Sequence, residues 1–187
     1  MARSRLFIIS GPSGAGKGTI VQGLRARRPD LKLMVSVTTR PARPREKEGV
    51  HYHFISEREF VSRRDRGEFL EWAEVHGNLY ATPRAFVEEE LKKGNDVLLE
   101  IDVQGAAQVK RAMHDASLIF IEAPSMAILE QRLRNRSTEQ EDQLTRRLAD
   151  AYDELRTKQW FDGVVVNTEV DRAVEEVLQL MDKLKSQ

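Results

Sequence analysis

Residues 11 to 19 read Gly11-Pro12-Ser13-Gly14-Ala15-Gly16-Lys17-Gly18-Thr19, behind the apolar run Leu6-Phe7-Ile8-Ile9-Ser10 and ahead of a helix-like stretch. Glycines let successive backbone amides curl around an anion, a helix N-terminus adds partial positive charge, and Lys17 adds a full one. The spacing Gly-x4-Gly-Lys between a strand and a helix is that of a loop cradling the phosphates of a nucleoside triphosphate. One position departs from the strict pattern: Gly18 stands where a Ser or Thr hydroxyl would reach magnesium, and Thr19 is one residue late. Magnesium is therefore expected to be held mainly by phosphate oxygens and water, in keeping with its reluctance to shed its hydration shell.

A loop of this kind needs a sheet to hold it. Apolar runs at 5–10, 97–101, 117–122 and 163–167 alternate with helix-like stretches at 17–27, 103–114, 125–136 and 170–184, and Leu33-Met34-Val35-Ser36-Val37 reads as a fifth strand. This alternation predicts an α/β fold, a parallel five-stranded sheet with helices on both faces and ligands at the carboxyl ends of its strands. Two regions break the rhythm. Residues 38–93 carry a Pro- and Arg-rich loop, short β-like pieces (Tyr52–Ile55, Phe69–Trp72) and two helical stretches, an inserted mixed α/β subdomain. Residues 132–150, dense in charge, read as a helical flap or lid. The expected organisation is a single domain over 1–187, its core formed by 1–37, 94–131 and 151–187.

The composition narrows the function classes. In 187 residues, 30 basic side chains balance 30 acidic ones, removing the net field that would hold a nucleic acid or an anionic membrane by charge alone. Zero cysteines exclude disulfides, thiolate zinc sites and cysteine nucleophiles. His51, His53, His76 and His114 show no metal-ligand spacing, so no zinc is expected. The start Met-Ala-Arg-Ser-Arg leads into only a short apolar run, which argues against a signal peptide or membrane span and for the cytoplasm. Nothing in these residues bears on whether the chain acts as a monomer or a homo-oligomer.

Thr38-Thr39-Arg40-Pro41-Ala42-Arg43-Pro44-Arg45 packs guanidinium groups into a proline-stiffened loop just past a strand end. Such a loop presents forked cations to a phosphate at a low ordering cost, so a second anion is expected beside the triphosphate. Farther along, Arg132 and Arg136 lie four apart on one helical face, and Arg147 follows beside the apolar pair Leu144 and Leu148. Closing over the loop, these would surround a phosphoryl group in flight; in the open protein they would pair with Glu139, Glu141 and Asp142. Arg146, on another face, reads as a solvated bystander. Glu100 and Asp102 end the run Val97-Leu98-Leu99 on the same side of the strand, a position for carboxylates facing magnesium or its water shell, although Asp102 also suits a helix cap.

Ser36-Val37-Thr38-Thr39-Arg40, Gly49-Val50-His51-Tyr52-His53-Phe54, Phe69-Leu70-Glu71-Trp72-Ala73, Gly77-Asn78-Leu79-Tyr80-Ala81-Thr82 and Ile101-Asp102-Val103-Gln104-Gly105, in that order, resemble the guanylate kinase family. The resemblance covers nearly the whole chain. It implies phosphoryl transfer from ATP to GMP with magnesium, giving ADP and GDP, and makes residues 38–93 the GMP-binding insertion. It also implies that Arg40, Arg43, Tyr52 and Tyr80 hold the GMP phosphate, that Ser36, Glu71 and Thr82 read or flank the base, that Asp102 lies near the monophosphate and metal, and that Asn167 lies near adenine. At position 100 the family usually carries Asp rather than Glu. The chemistry of the base agrees with these roles. Guanine offers two N–H donors beside a carbonyl, so Glu71 can accept both while the Thr82 hydroxyl serves the oxygen; adenine would turn a lone pair toward the carboxylate. Thr82 also suits a helix N-cap ahead of Pro83, and Asn167 an ordinary turn. Two other readings fit parts of the pattern: a guanylate-kinase-like binding module without catalysis, and a phosphate-loop kinase for a different acceptor.

Overall fold

The computed structural model describes residues 4–44, 46–75, 77–136 and 141–186, apart from the side chains of Arg136 and residues 141–143. The strands are β1 (Leu6–Ser10), β2 (Lys32–Leu33), β3 (Val37–Thr38), β4 (His53–Phe54), β5 (Phe69–Val75), β6 (Asn78–Pro83), β7 (Val97–Glu100), β8 (Ser117–Glu122) and β9 (Gly163–Val166). The helices are α1 (Lys17–Arg27), α2 (Glu57–Asp65), α3 (Arg84–Lys92), α4 (Val103–Ala112), α5 (Met126–Arg136), α6 (Glu141–Arg156) and α7 (Val170–Lys185).

β1 is buried along its whole length, as a central parallel strand covered on both faces must be. Its side chains alternate between two cores. Phe7 and Ile9 pack with Ile20 and Leu24 of α1 and Val174 and Val177 of α7. Leu6 and Ile8 pack with Val87 of α3 and Ala106 and Val109 of α4. The resulting sheet has five strands in the order β2-β7-β1-β8-β9, all pairs parallel, with helices on each face. The expected doubly covered parallel sheet is therefore present, and the 11–18 loop leaves the carboxyl end of its central strand.

The fifth strand differs from the expected run over 33–37. Only Lys32–Leu33 joins the parallel sheet, beside β7, whereas Val37–Thr38 belongs to a second, mixed sheet of order β4-β3-β6-β5. The run is divided because its apolar residues serve different cores: Met34 is buried with β7, and Val37 with Phe60, Phe69 and Ala81. Ser36 falls at the crossing, and its carbonyl accepts from the His53 backbone N–H.

In the second sheet β5 and β6 form an antiparallel hairpin whose register sets Glu71 directly opposite Thr82. A last apolar cluster, Leu129 and Leu133 of α5 with Leu144 and Ala151 of α6, joins the two helices that stand over the phosphate loop.

Candidate active site

The 11–18 loop, the second sheet and α6 enclose a cleft of about 780 Å³. Gly11, Pro12, Ser13, Gly14, Gly16, Lys17 and Gly18 line one wall, Ser36, Arg43, Tyr52, Glu71 and Tyr80 the other, with Glu100 and Asp102 between and Arg147 and Glu154 from α6.

Gly11, Gly14 and Gly16 all adopt positive φ, the conformation that turns the loop around its own amides and that L side chains enter only with strain. A side chain at Gly16 would also collide with the amide of Asn167. The Lys17 ammonium donates to the carbonyls of Gly11 and Pro12, at 2.5 and 3.1 Å, so it stands in the mouth of the curl. Ala15 and Thr19 are not on the cleft surface: Ala15 is buried and Thr19 is exposed on α1. The Ala15 carbonyl accepts from the Asn167 amide (2.8 Å) and from Arg132 (3.3 Å), and Arg132 also donates to the Asn167 carbonyl (3.1 Å). Arg132 thus binds backbone behind the loop. Asn167 is buried against that loop, so its side chain is a brace rather than a turn residue facing solvent. Arg147 lines the cleft, and Arg146 is exposed. The side chain of Arg136 and the expected flap acids Glu139, Glu141 and Asp142 lie outside the described side chains.

On the facing wall, Arg40 donates to the Tyr80 hydroxyl (3.2 Å) and to Glu46 (2.9 Å), with its guanidinium carbon 5.5 Å from the Tyr52 ring centroid. Glu46 also accepts from the Arg43 backbone N–H (2.9 Å), tying the arginine loop together. Burial pushes the Tyr52 hydroxyl up to about 12, so it stays neutral and able to donate to an anion.

Glu71 and Thr82 form the most buried polar pair of the cleft, 4 % and 0 % exposed, with the Thr82 hydroxyl donating to Glu71 at 2.7 Å. Thr82 is not the cap of α3; Pro83 holds that place and makes no side-chain cap bond, because Thr82 is committed to β6 and its hydroxyl to Glu71. Asp102, by contrast, does cap a helix: its carboxylate accepts from the backbone of Gln104 (2.7 Å) and Gly105 (2.9 Å) while lining the cleft.

No local pattern marks Glu46, whose contacts depend on a loop fold. Glu154 is different: it lies seven residues after Arg147 and so on the same face of one helix, a spacing that was available to be read. Burial pushes the Glu154 carboxyl up to about 7, against the pull of Lys17 and with the support of Asp102 and Asp150. Glu71 is likewise pushed up to about 7 by burial, against the Thr82 hydroxyl. Both groups hold protons in the folded chain that the unfolded chain, titrating near 4.5, has released. Stability then falls as pH rises from about 4.5 to about 7 and levels off above. A Glu154→Gln variant removes one of these costs, so its thermal midpoint matches that of the parent chain at pH 4.5 and exceeds it at pH 8 by the equivalent of about 1–3 kcal/mol. A midpoint difference that is the same at both pH values would contradict this.

The carboxylate oxygen of Glu100 lies 3.6 Å from where a side chain on Gly18 would begin. The space a Ser or Thr hydroxyl would fill is thus faced by a hard oxygen donor, which fits a magnesium ion that keeps its water shell. Among the described residues no group of three or more His, Cys, Asp or Glu side chains could hold a metal directly.

The family model for guanylate kinase matches residues 3–184. The guanylate kinase of Carboxydothermus hydrogenoformans is 44% identical over 99% of this chain and 92% of its own length, and that of Rubrobacter xylanophilus 47% identical over 98% and 96%. The crystal structure of guanylate kinase from Anaplasma phagocytophilum superposes with a TM-score of 0.83 at 31% identity, covering 100% of this chain and 89% of that one. With the loop, the divided sheet and the Glu71–Thr82 pair all set in one cleft, the match over nearly its full length makes this chain a member of the guanylate kinase family.

Proposed function

We propose that the chain transfers the γ-phosphoryl group of ATP to GMP, and to dGMP, giving ADP and GDP (or dGDP) in the cytoplasm, with magnesium travelling on ATP. The observation that carries this reading is the Glu71 carboxylate, buried and bonded to the Thr82 hydroxyl behind it, which lines the same cleft as the 11–18 loop. The carboxylate can accept both N–H donors of guanine, and the Thr82 hydroxyl, turning its single proton away from Glu71 as the base binds, can donate to the neighbouring carbonyl; adenine would turn a lone pair toward the carboxylate.

A monophosphate oxygen is already anionic near neutral pH, so no side chain has to remove a proton. That oxygen attacks the γ-phosphorus of ATP, and the bond from phosphorus to the β,γ-bridging oxygen breaks, its electrons staying on ADP. Alignment and charge neutralisation then supply the catalysis. The amides of Gly14, Gly16, Lys17 and Gly18 and the Lys17 ammonium hold the ATP phosphates. Arg40, Arg43, Tyr52 and Tyr80 hold the acceptor phosphate, and Ser36 flanks the base. Arg147, with Arg132 and Arg136, closes over the reacting group and excludes water, which would otherwise accept it. Glu100 and Asp102 would face the water shell of a magnesium ion brought in with ATP, which would supply charge neutralisation to its phosphates.

A panel of GMP, dGMP, AMP, CMP and UMP with ATP and magnesium, read by coupled ADP formation, tests the proposal. GMP and dGMP are the expected acceptors. Preference for AMP or a pyrimidine nucleotide, or no acceptor-dependent ADP, would overturn it.

A further inference from the structure

We propose that Gly105 is a positioning residue for base recognition: the bare turn of α4 at this residue is what allows the Glu71 carboxylate to stand in the cleft with its edge presented to a purine. A Cβ at 105 would lie 2.7 Å from Glu71 Oε2 and 3.1 Å from its Cδ, with Ile101 Cδ1 at 3.4 Å behind. Real contacts are not that short, so something would have to move.

Neither wall can move easily. The other carboxylate oxygen, Oε1, accepts the Thr82 hydroxyl at 2.7 Å. One residue along β5, the Trp72 backbone is bonded on both sides to the Gln108 side chain of α4, N–H to Oε1 at 3.3 Å and carbonyl from Nε2 at 2.7 Å. The Gly105 N–H is itself bonded to Asp102 at 2.9 Å, which pins the helix start. Gln108 thus staples the strand to the helix one residue from the contact, the cap bond holds the helix start, and a methyl group at 105 is accommodated by turning the Glu71 carboxylate.

The backbone does not require glycine here. Gly105 is helical and is not among the residues with positive φ. Alanine is the better helix former, so local propensity alone favours replacement. What opposes it is the carboxylate.

The inference rests on the reading of Glu71 as the partner of guanine, and the test separates the two. In Gly105→Ala, KM for GMP rises about 10–100-fold, as for the misplacement of one charged hydrogen-bonding group. KM for ATP stays at the parent value, and the thermal midpoint stays near that of the parent chain. Glu71→Asp shortens the carboxylate by one methylene and relieves the overlap, so adding Gly105→Ala to Glu71→Asp costs less than about 3-fold further; a coupling this strong is expected only for groups in contact. If Gly105→Ala keeps the parent KM for GMP while Glu71→Gln loses GMP, Gly105 has no such role and the base reading stands. If Gly105→Ala impairs GMP and ATP alike and lowers the midpoint, its role is structural and the proposal is overturned. If Glu71→Gln itself leaves GMP use intact, the base reading fails and this inference fails with it.

Discussion

Replacing Lys17 by Met lowers turnover by at least about 10²–10³-fold, the scale lost when one preorganised donor to a developing charge is removed, while the thermal midpoint stays near that of the parent chain. Met keeps most of the length and the apolar stem of the side chain and deletes its charge and its N–H donors. The ammonium's hydrogen bonds to the Gly11 and Pro12 carbonyls stay within the loop, so their loss bears on the loop before it bears on the fold. Its contribution is to the phosphates, whose charge increases at the bridging oxygen as the bond to the γ-phosphorus breaks. Coupled ADP formation and thermal unfolding on the same preparation check both halves. Near-normal turnover in this variant would refute the role assigned to Lys17.

Glu71→Gln reduces kcat/KM for GMP by about 10²–10⁴-fold, since two hydrogen bonds to a charged acceptor are lost and one amide donor now faces two donors of the base. ATP affinity is unchanged. The sign of the pH dependence follows from burial. The Glu71 carboxyl is held up to about 7, and only its ionised form accepts both donors of guanine. kcat/KM for GMP therefore rises with pH through about 7 and then levels off, and Glu71→Gln flattens this rise, leaving the part carried by Glu154 of the same cleft. Equal losses for both nucleotides would mean that the base lies elsewhere.

The parts of the fold legible in sequence are those with local signals. Continuous apolar runs mark buried parallel strands because both faces are covered, and the glycine spacing marks the loop because the backbone needs it. The run Leu33–Val37 was misleading because an apolar pattern records burial and not which core does the burying: Met34 and Val37 belong to different ones. Thr82 before Pro83 looks like a cap, yet β6 claims it. Asp102 is both cap and cleft residue, so its two readings did not compete. Glu46 and Gln108 carry no signal, and Gly105 stands in a stretch that resembles the family without its role being legible, since these roles arise only when distant segments meet. Trp72 and Gln108, which staple β5 to α4, are 36 residues apart in the chain.

The central claim is that donor phosphates and acceptor base occupy opposite walls of one cleft. A crystal structure of the chain with GMP and a non-hydrolysable ATP analogue tests it most directly. The guanine edge is expected on Glu71 and Thr82, with the analogue's phosphates inside the 11–18 loop and the acceptor phosphate between Arg40 and Lys17. Guanine bound away from Glu71, or triphosphate bound outside the loop, would contradict it.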